Sequence, residues 1–293
     1  MKKALIIING YVINPNISYK IKRLKEEFLK LNVECEVKDA IALLPYCYGN
    51  KIDLDLSAYS FAIDMDKDCY LAKIISMELP MFNSYESMIL SDDKMLSIIK
   101  LKNSGINCPL TIPSPLCYLN NPDKKIIDTF LNKVEEALSY PLVFKECHGS
   151  LGRQVVLIKN RKELEDIENR YKNTQHLYEK FLDKNQGHDY RIIVIGGKVI
   201  ACMERINEND FRSNIALGGK GYDVTNTISE EYKNLALKAS EVLGLDYAGI
   251  DVGISNEDKP VFIEANGNAF FTEIEEVTHK NIAETLAKYI LSK

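Results

Sequence analysis

Continuous apolar runs alternate with amphipathic stretches over the first ninety residues of the chain. Residues 5–8 form an apolar run typical of a strand that is buried on both faces of a parallel sheet. A helix with one apolar face is predicted next, from spacings of three and four between Ile17, Ile21, Leu24, Phe28 and Leu31. Further strands are predicted at 33–37, 61–65 and 81–82, and a helix at 71–79. The pattern predicts a small α/β unit over residues 1–90.

The middle of the chain predicts a second lobe over about 91–177. Ser91 is expected to cap a new helix, with two acids in its first turn. The segments PLVFKEC, QVVLI and HLYEKFL are predicted strands, and a glycine loop, Gly149–Gly152, lies between the first two.

A third lobe is predicted over about 178–293. The two-residue turn Gly196-Gly197 joins two apolar segments and predicts a β-hairpin. A second hairpin joins YAGIDV to VFIEAN. If its turn is centred between Glu257 and Asp258, Asp251 is opposite Glu264.

The acids of this hairpin suggest a metal site. Like charges opposite each other destabilise a sheet, unless a cation lies between them. Asn266 shares a strand face with Glu264, and two carboxylates with an amide oxygen suit a hard divalent cation. The alternative is a water-facing sheet surface that carries both acids. The paired register favours the metal.

The net charge, the cysteines and the apolar runs limit the partners and the cell compartment that we expect for this protein. The net charge of −5 argues against nucleic acid as the main partner. Seven scattered cysteines without a C-x-x-C spacing are typical of buried apolar residues in a reducing compartment. No apolar run reaches membrane-spanning length, and the N-terminal run is better explained as a first strand than as a signal peptide. We therefore expect a cytoplasmic protein without a membrane partner.

Three further features have two explanations each. Lys145, in an apolar strand, is either an edge lysine facing water or a lysine directed at a phosphate in a cleft. The glycine loop is either a plain hairpin turn or a phosphate cradle. Arg205 and Arg212 either form a solvated salt-bridged loop or hold phosphoryl oxygens.

These pieces occur in the order seen in the ATP-grasp superfamily, and residues 80–290 resemble its RimK-like glutamate ligases. The specific segments are MERINENDFRSN and AGIDVG…VFIEANGN. The resemblance implies an α/β fold with α+β lobes, namely a three-lobed ATP-grasp fold. Its N-terminal lobe is a Rossmann-like pre-ATP-grasp domain over 1–90, and the ATP-grasp domain over 91–293 forms the other two.

The resemblance also implies roles for individual residues. Nucleotide binding falls to Lys94, Lys145, Gly149, Ser150, Gly152, Glu179, Lys180, Asp189, Arg212, Ser213 and Asn214. Within that set, Glu179 and Lys180 match a hinge whose backbone reads the adenine, and Asp189 matches an acid at the ribose. Catalysis at the γ-phosphate and acyl group falls to Arg205, Arg212 and Asn214. Two magnesium or manganese ions would be held by Asp251, Glu264 and Asn266.

The implied reaction joins a small-molecule or peptide carboxylate to an amine, at the expense of ATP, through an acyl phosphate. Such chemistry depends on positioning and charge neutralisation rather than on a protein nucleophile. The alternatives are a small-molecule kinase on the same scaffold and a nucleotide-binding module without turnover. A homo-oligomer is left open.

The chain departs from the group at three places. Lys180 stands where an aromatic residue is common in the hinge. RSNIALGG replaces R-S-N-L-H-R-G-G, which removes basic side chains near Ala216-Leu217. Asn268-Ala269-Phe270 replaces Ser-Pro-Gly after the E-x-N motif. The last two changes lie where an acceptor would bind, so glutamate is not implied as the added amino acid.

Overall fold

A computed structural model describes residues 2–11, 14–149 and 152–293 of the chain. These residues form a parallel sheet, two larger antiparallel sheets, a small hairpin and surrounding helices. The mixed helix and sheet content that the sequence predicts is therefore confirmed.

The N-terminal unit is built on a three-stranded parallel sheet of order β2–β1–β5. Its strand β1 is buried from Ala4 to Ile8, as the continuous apolar run predicts. The predicted strand at 81–82 is only an isolated bridge between Met81 and Ala62. The elements of this unit are β1 (Lys2–Ile8), α1 (Pro15–Lys30), β2 (Val33–Asp39), β3 (Tyr46–Tyr48), β4 (Lys51–Asp53), β5 (Phe61–Asp64) and α2 (Cys69–Ser76).

Two short helices connect this unit to the next sheet, and their boundary differs from the prediction. Ser91 does not cap a helix, because it lies inside the first of them, whose cap is Ser84. The second helix is capped by Asp93, whose carboxylate accepts from the backbone N–H groups of Met95 and Leu96. Lys94 is thus the first residue of that helix. The two elements are α3 (Tyr85–Asp92) and α4 (Lys94–Leu101).

The second lobe is a four-stranded antiparallel sheet of order β6–β9–β7–β8, flanked by two helices. Its strand β9 runs across the predicted lobe boundary at 177/178, and the sheet ends at Lys180. The elements are β6 (Thr111–Pro113), α5 (Lys124–Leu138), β7 (Leu142–Glu146), β8 (Val155–Ile158), α6 (Arg161–Tyr171) and β9 (His176–Lys180).

The third lobe carries a five-stranded antiparallel sheet of order β12–β11–β10–β13–β14. The hairpin predicted at Gly196-Gly197 is confirmed as the β10–β11 connection, and both glycines have positive φ. The elements are β10 (His188–Ile195), β11 (Lys198–Ile206), β12 (Lys220–Asp223), α7 (Glu230–Leu243), β13 (Tyr247–Ile254), β14 (Pro260–Asn266), α8 (Thr272–Thr278) and α9 (Ile282–Leu291).

The β13–β14 hairpin contains a β-bulge that the sequence did not reveal. Asp251 pairs with Glu264, as predicted, but Val252 pairs with Phe262, so Ile263 is the extra residue. The predicted turn centre is therefore wrong by half a residue, and the bulge restores the predicted pair. Ile263 and Glu264 both line the cleft described below.

The N-terminal unit and the third lobe share one hydrophobic core. Ile6, Phe28 and Phe61 pack in the same cluster as Phe271 and Leu286. Helix α1 lies along α9 in this arrangement. A shared, close-packed core holds the first unit in a fixed position beside the end of the five-stranded sheet.

Candidate active site

A cleft of about 540 Å³ lies where the three units meet. Every predicted site residue that the structure describes lines it, except Lys94, whose ammonium nitrogen is 3.6 Å from the Glu264 carboxylate. Ser150 lies outside the described residues. The lining residues predicted from the sequence are Lys145, Gly149, Gly152, Glu179, Lys180, Asp189, Arg205, Arg212, Ser213, Asn214, Asp251, Glu264 and Asn266.

Four charged side chains on one face of the five-stranded sheet form a continuous chain of ion pairs. Arg205 is directly opposite Asp189 and donates to both of its carboxylate oxygens, at 2.7 and 2.6 Å. Arg191 is directly opposite Asp251 and does the same, at 2.5 and 2.8 Å. Arg205 also reaches Asp251 at 3.0 Å. Two guanidiniums thus neutralise two carboxylates in a row that crosses three strands.

Burial strengthens the attraction between the charges of this network. Burial alone raises the pKa of Asp251, but the charges of Arg191 and Arg205 outweigh it and hold that pKa below its ordinary value. Burial likewise opposes the charged form of Arg205, while Asp189 and Asp251 raise its pKa. Asp251 is therefore ionised. Its oxygens accept two hydrogen bonds from Arg191 and form an ion pair with Arg205 at 3.0 Å, so three arginine nitrogens already contact them.

The second acid of the predicted metal pair is less engaged. Glu264 has a quarter of its side chain exposed, and its only ion pair among the described residues is with Lys94. The ammonium group of Lys94 also donates to the carbonyl oxygen of Gly149, at 3.3 Å. Lys94 therefore links the start of the glycine loop to the predicted metal ligand.

The side-chain oxygens of Asp251, Glu264 and Asn266 suit a hard cation, but they are not equally free to bind one. A carboxylate has about four lone-pair sites, and Asp251 uses three of them on arginine, whereas those of Glu264 are mostly free. The Asn266 side chain lines the cleft beside Glu264. No group of three or more histidine, cysteine or acidic side chains arranged for a metal occurs within 2–11, 14–149 and 152–293. A divalent ion here would rest on Glu264 and Asn266, with Asp251 as a shared ligand.

Lys145 lies in the interior of the second lobe. Its strand β7 is flanked by β9 and β8, so the alternative of an edge lysine facing water is wrong. Its ammonium group is buried and pairs with the Glu179 carboxylate at 2.5 Å. Both residues line the cleft, so a buried cation is held at the cleft wall by one acid.

The glycine loop is held at both ends. Before it, the His148 ring is 3.0 Å from Asp92, which also pairs with Lys67 of the N-terminal unit. The hydrogen bond with Asp92 raises the pKa of His148. At the other end of the loop, the carbonyl oxygen of Gly152 accepts a hydrogen bond from Arg212 at 2.7 Å.

Arg212 is itself oriented by a neighbouring acid. Its guanidinium donates to both carboxylate oxygens of Asp210, at 2.9 and 2.7 Å. Gly152 has a φ of +68°, and a Cβ there would meet the Asn214 amide oxygen at 2.9 Å. Only glycine suits this close approach without strain. Arg212 and Asn214 therefore lie directly against the end of the loop.

The predicted hinge is only partly available for a ligand. The backbone N–H of Lys180 donates to the Leu110 carbonyl at 2.9 Å, so it is occupied. Phe181 and Leu182, which follow it, line the cleft. These two residues are the nearer candidates for reading an adenine edge.

Sequence reasoning missed two parts of this site. Arg191 was not singled out, although it lies two residues after Asp189 and so shares its strand face. The N-terminal unit also lines the cleft, mainly with residues that follow β1 and β5: Asn9, Asn14, Ile17, Met65, Asp66, Lys67 and Asp68. Ligands commonly bind beyond the carboxyl ends of parallel strands, and that rule was the available signal.

No helix within the described parts of the chain is both long enough and apolar enough to span a membrane. That finding is consistent with the sequence, in which no apolar run reaches the required length.

The family model of the RimK-like ATP-grasp domain matches residues 91–290. A protein named probable alpha-L-glutamate ligase from Parasynechococcus marenigrum is 34% identical over 74% of this chain and 45% of its own length. Human N-acetylaspartylglutamate synthase A is 30% identical over 72% of this chain and 52% of its own length. The chain thus spans about half of the length of these curated relatives.

The fold comparison agrees. The crystal structure of a RimK domain ATP-grasp protein from Sphaerobacter thermophilus superposes with a TM-score of 0.71 at 18% identity, covering 99% of each chain. At that identity the similarity establishes the fold, so the predicted ATP-grasp architecture is confirmed. With the family match across most of the chain, the conclusion is that the chain belongs to the RimK-like ATP-grasp family.

Proposed function

We propose that this chain is an ATP-dependent, ADP-forming ligase that joins a carboxylate to an amine. The observation that carries the proposal is the convergence of cations and hard oxygen donors on one cleft. Lys145, Arg212, Glu264 and Asn266 all line it. Phosphoryl transfer needs this combination, because its catalysis is mainly positioning and charge neutralisation.

The side chains divide into three roles. Lys145 and the segment that follows β9 would hold the nucleotide, since both line the cleft of the second lobe. Lys94, which contacts the glycine loop and Glu264, would hold phosphate oxygens near the predicted metal ligands. Arg205, Arg212 and Asn214 would lie at the γ-phosphate and the reacting acyl group.

A divalent ion, magnesium or manganese, would be held by Glu264, Asn266 and the remaining lone pair of Asp251. It would supply charge neutralisation for the triphosphate when bound. Arg191 and Arg205 keep Asp251 ionised and hold its carboxylate in place. We propose two ions, as the resemblance implies.

The glycine loop would exclude water during the reaction. An acyl phosphate hydrolyses readily, so a covering loop protects it from water until the amine arrives. In support of this role, His148, Gly149 and Gly152, at the two ends of the loop, contact Asp92, Lys94 and Arg212.

The substrates are proposed by chemical class. The names of the curated relatives contain glutamate, aspartate and their conjugates, so acids and amino acids are the first candidates. Ala216 and Leu217 stand where the resemblance places basic residues, so a dicarboxylic amino acid is not favoured as the added amine. We propose that the protein acts in the cytoplasm, where ATP is available.

The test is a trapping assay. Enzyme, ATP and Mg²⁺ are incubated with pools of carboxylates, including citrate, N-acetyl-L-aspartate and L-glutamate, and with hydroxylamine as the amine. We expect ADP and hydroxamates. Release of AMP and pyrophosphate would exclude the acyl-phosphate route, and a stable phosphorylated product formed without any amine would identify a kinase instead. Tight ATP binding without turnover on any pool would indicate a binding module.

A further inference from the structure

A lysine that has no acidic partner among the described residues is buried beside the cleft. Lys20, on α1, has 2% of its surface exposed. Its ammonium nitrogen donates to the side-chain oxygen of Asn268 at 2.6 Å and to the backbone carbonyl of Ala269 at 3.0 Å. It lies 4.8 Å and 5.0 Å from the ring centres of Tyr247 and Phe271. Burying a lysine among neutral groups is costly, so its retention calls for a role.

The contact fixes the orientation of the Asn268 amide. An ammonium group has only donors, so it must face the oxygen of the amide and never the nitrogen. The N–H₂ end of Asn268 therefore points away from Lys20. Within 2–11, 14–149 and 152–293, that nitrogen has no hydrogen-bond acceptor, and Asn268 lines the cleft. Two oriented donors are left for a ligand.

The backbone around Asn268 is held rigidly by other residues. The Gly267 carbonyl accepts from the Asn83 amide at 2.7 Å, and the Ala269 carbonyl accepts from the Tyr247 hydroxyl at 2.7 Å. Asn83 precedes α3, so both it and Lys20 lie outside the third lobe. The segment directly after the predicted metal ligands is thus fixed by the N-terminal part of the chain.

The position of Asn268 identifies which part of the cleft it serves. Ile17, one helical turn before Lys20 on the same face of α1, also lines the cleft. Asn268 therefore faces the space between the N-terminal unit and the third lobe. Lys145 and Glu179, which mark the nucleotide side, lie in the second lobe.

We propose that Asn268 is a specificity residue, whose amide N–H₂ donates to a carboxylate or carbonyl oxygen of a substrate, and that Lys20 is the positioning residue that fixes this orientation. The proposal rests on the proposed ligase function and names the group recognised at the same site. That oxygen belongs either to the acid substrate or to the carboxylate of an amino acid that serves as the amine.

Two variants and two matched controls test the proposal. Asn268→Asp keeps the shape and the contact with Lys20 but replaces the donors by acceptors. Lys20→Met keeps the apolar stem and removes the ammonium group. Lys22→Met, at an exposed position of the same helix, and Asn256→Asp, at the exposed turn of the β13–β14 hairpin, are the controls.

Kinetics with hydroxylamine as the amine tests the acid as the source of the oxygen, because hydroxylamine has no carboxylate. We then expect Asn268→Asp to raise the KM for citrate, N-acetyl-L-aspartate or L-glutamate about tenfold or more, and Lys20→Met to raise it less. If the oxygen belongs to the amine, Asn268→Asp should instead raise the KM for a neutral amino acid such as L-alanine used as the amine. It should leave unchanged the KM for ethylamine, which lacks the carboxylate. The KM for ATP and both control variants should stay unchanged. The proposal would be overturned if Asn268→Asp lowered kcat and raised the KM for ATP, but raised neither the KM for the acid nor the KM for the amine.

Side-chain amide NMR separates this proposal from the ligase function. The ¹⁵N–¹H₂ signals of Asn268 are assigned by their absence in Asn268→Asp, and the same probes are titrated into the wild-type protein with ADP and Mg²⁺. A probe that moves these signals supports the proposal, even if no combination of probes releases ADP and the ligase function fails. Release of ADP with a probe that leaves the Asn268 signals unmoved refutes the proposal and leaves the ligase function standing.

Discussion

Arg191 and Asp251 are directly opposite each other on β10 and β13, and the guanidinium donates to both carboxylate oxygens, at 2.5 and 2.8 Å. Asp251 is opposite Glu264 across the hairpin, and it is therefore already neutralised on its other side. Asp251 and Glu264 are unequal as a result. One is oriented by arginine, and the other faces the cleft with Lys94 as its only ion-pair partner among the described residues.

The first prediction concerns Arg191. Arg191→Met removes one of the two guanidiniums that stabilise the buried Asp251 carboxylate, so the free energy of unfolding should fall by about 3 kcal/mol. Urea denaturation measures this change. The double variant Arg191→Met with Asp251→Asn should be less destabilised than the two single variants predict together, because the unpaired buried charge is gone. Strict additivity would show that the two residues do not interact in solution.

The second prediction concerns the metal. Glu264→Gln keeps the shape and removes one charged oxygen ligand from a partly exposed position, so the fold should survive. The Mg²⁺ concentration needed for half-maximal ADP release should rise at least about tenfold. Asp251→Asn is the less suitable variant, because it also leaves Arg191 and Arg205 without their shared partner. Unchanged Mg²⁺ dependence in Glu264→Gln would exclude this side chain as a ligand.

A third prediction separates stability from nucleotide binding in the second lobe. Lys145→Met should weaken ATP binding and also destabilise the lobe, because the buried Glu179 loses its partner. Glu179→Gln added to Lys145→Met should restore much of the stability but none of the ATP affinity. Equilibrium ATP binding and urea denaturation measure the two quantities separately. Recovery of ATP binding in the double variant would mean that Lys145 acts only through Glu179.

Local patterns were sufficient to predict most of the fold and much of the site. The apolar run at 5–8, the Gly196-Gly197 turn and the paired acids each depend on neighbours along the chain or across one hairpin. Those features are confirmed by β1, by the β10–β11 hairpin and by the Asp251–Glu264 register. The assignment of nucleotide and metal roles came from the family resemblance, and these roles remain predictions.

Two local details of the fold were not predicted from the sequence. Ile263 became a bulge residue because the turn is one half-residue off centre, which no local signal indicates. Asp93 rather than Ser91 caps α4, because the preceding helix continues through Ser91.

The other features depend on contacts between distant segments. The ion pair of Arg191 with Asp251 joins positions sixty residues apart. The contact of Lys20 with Asn268 joins the first helix to the segment that follows the last strand. Such pairs follow only from the assembled sheets.

The last prediction is a pH dependence of stability that arises from Lys20. Burial lowers the pKa of Lys20 from 10.5 to about 7. Between these two values the unfolded chain binds more protons than the folded protein, so the free energy of unfolding should rise with pH. The contribution of this one group is at most about 1.4 kcal/mol per pH unit. The free energy of unfolding, measured by urea denaturation at pH 7, 8 and 9, should therefore rise less with pH, or fall more steeply, for Lys20→Met than for the wild-type protein. Lys22→Met, which removes an exposed lysine from the same helix, should follow the wild-type profile. Parallel profiles for Lys20→Met and the wild-type protein would show that Lys20 stays charged throughout this range, because its neighbours Asn268, Ala269 and Tyr247 then offset its burial.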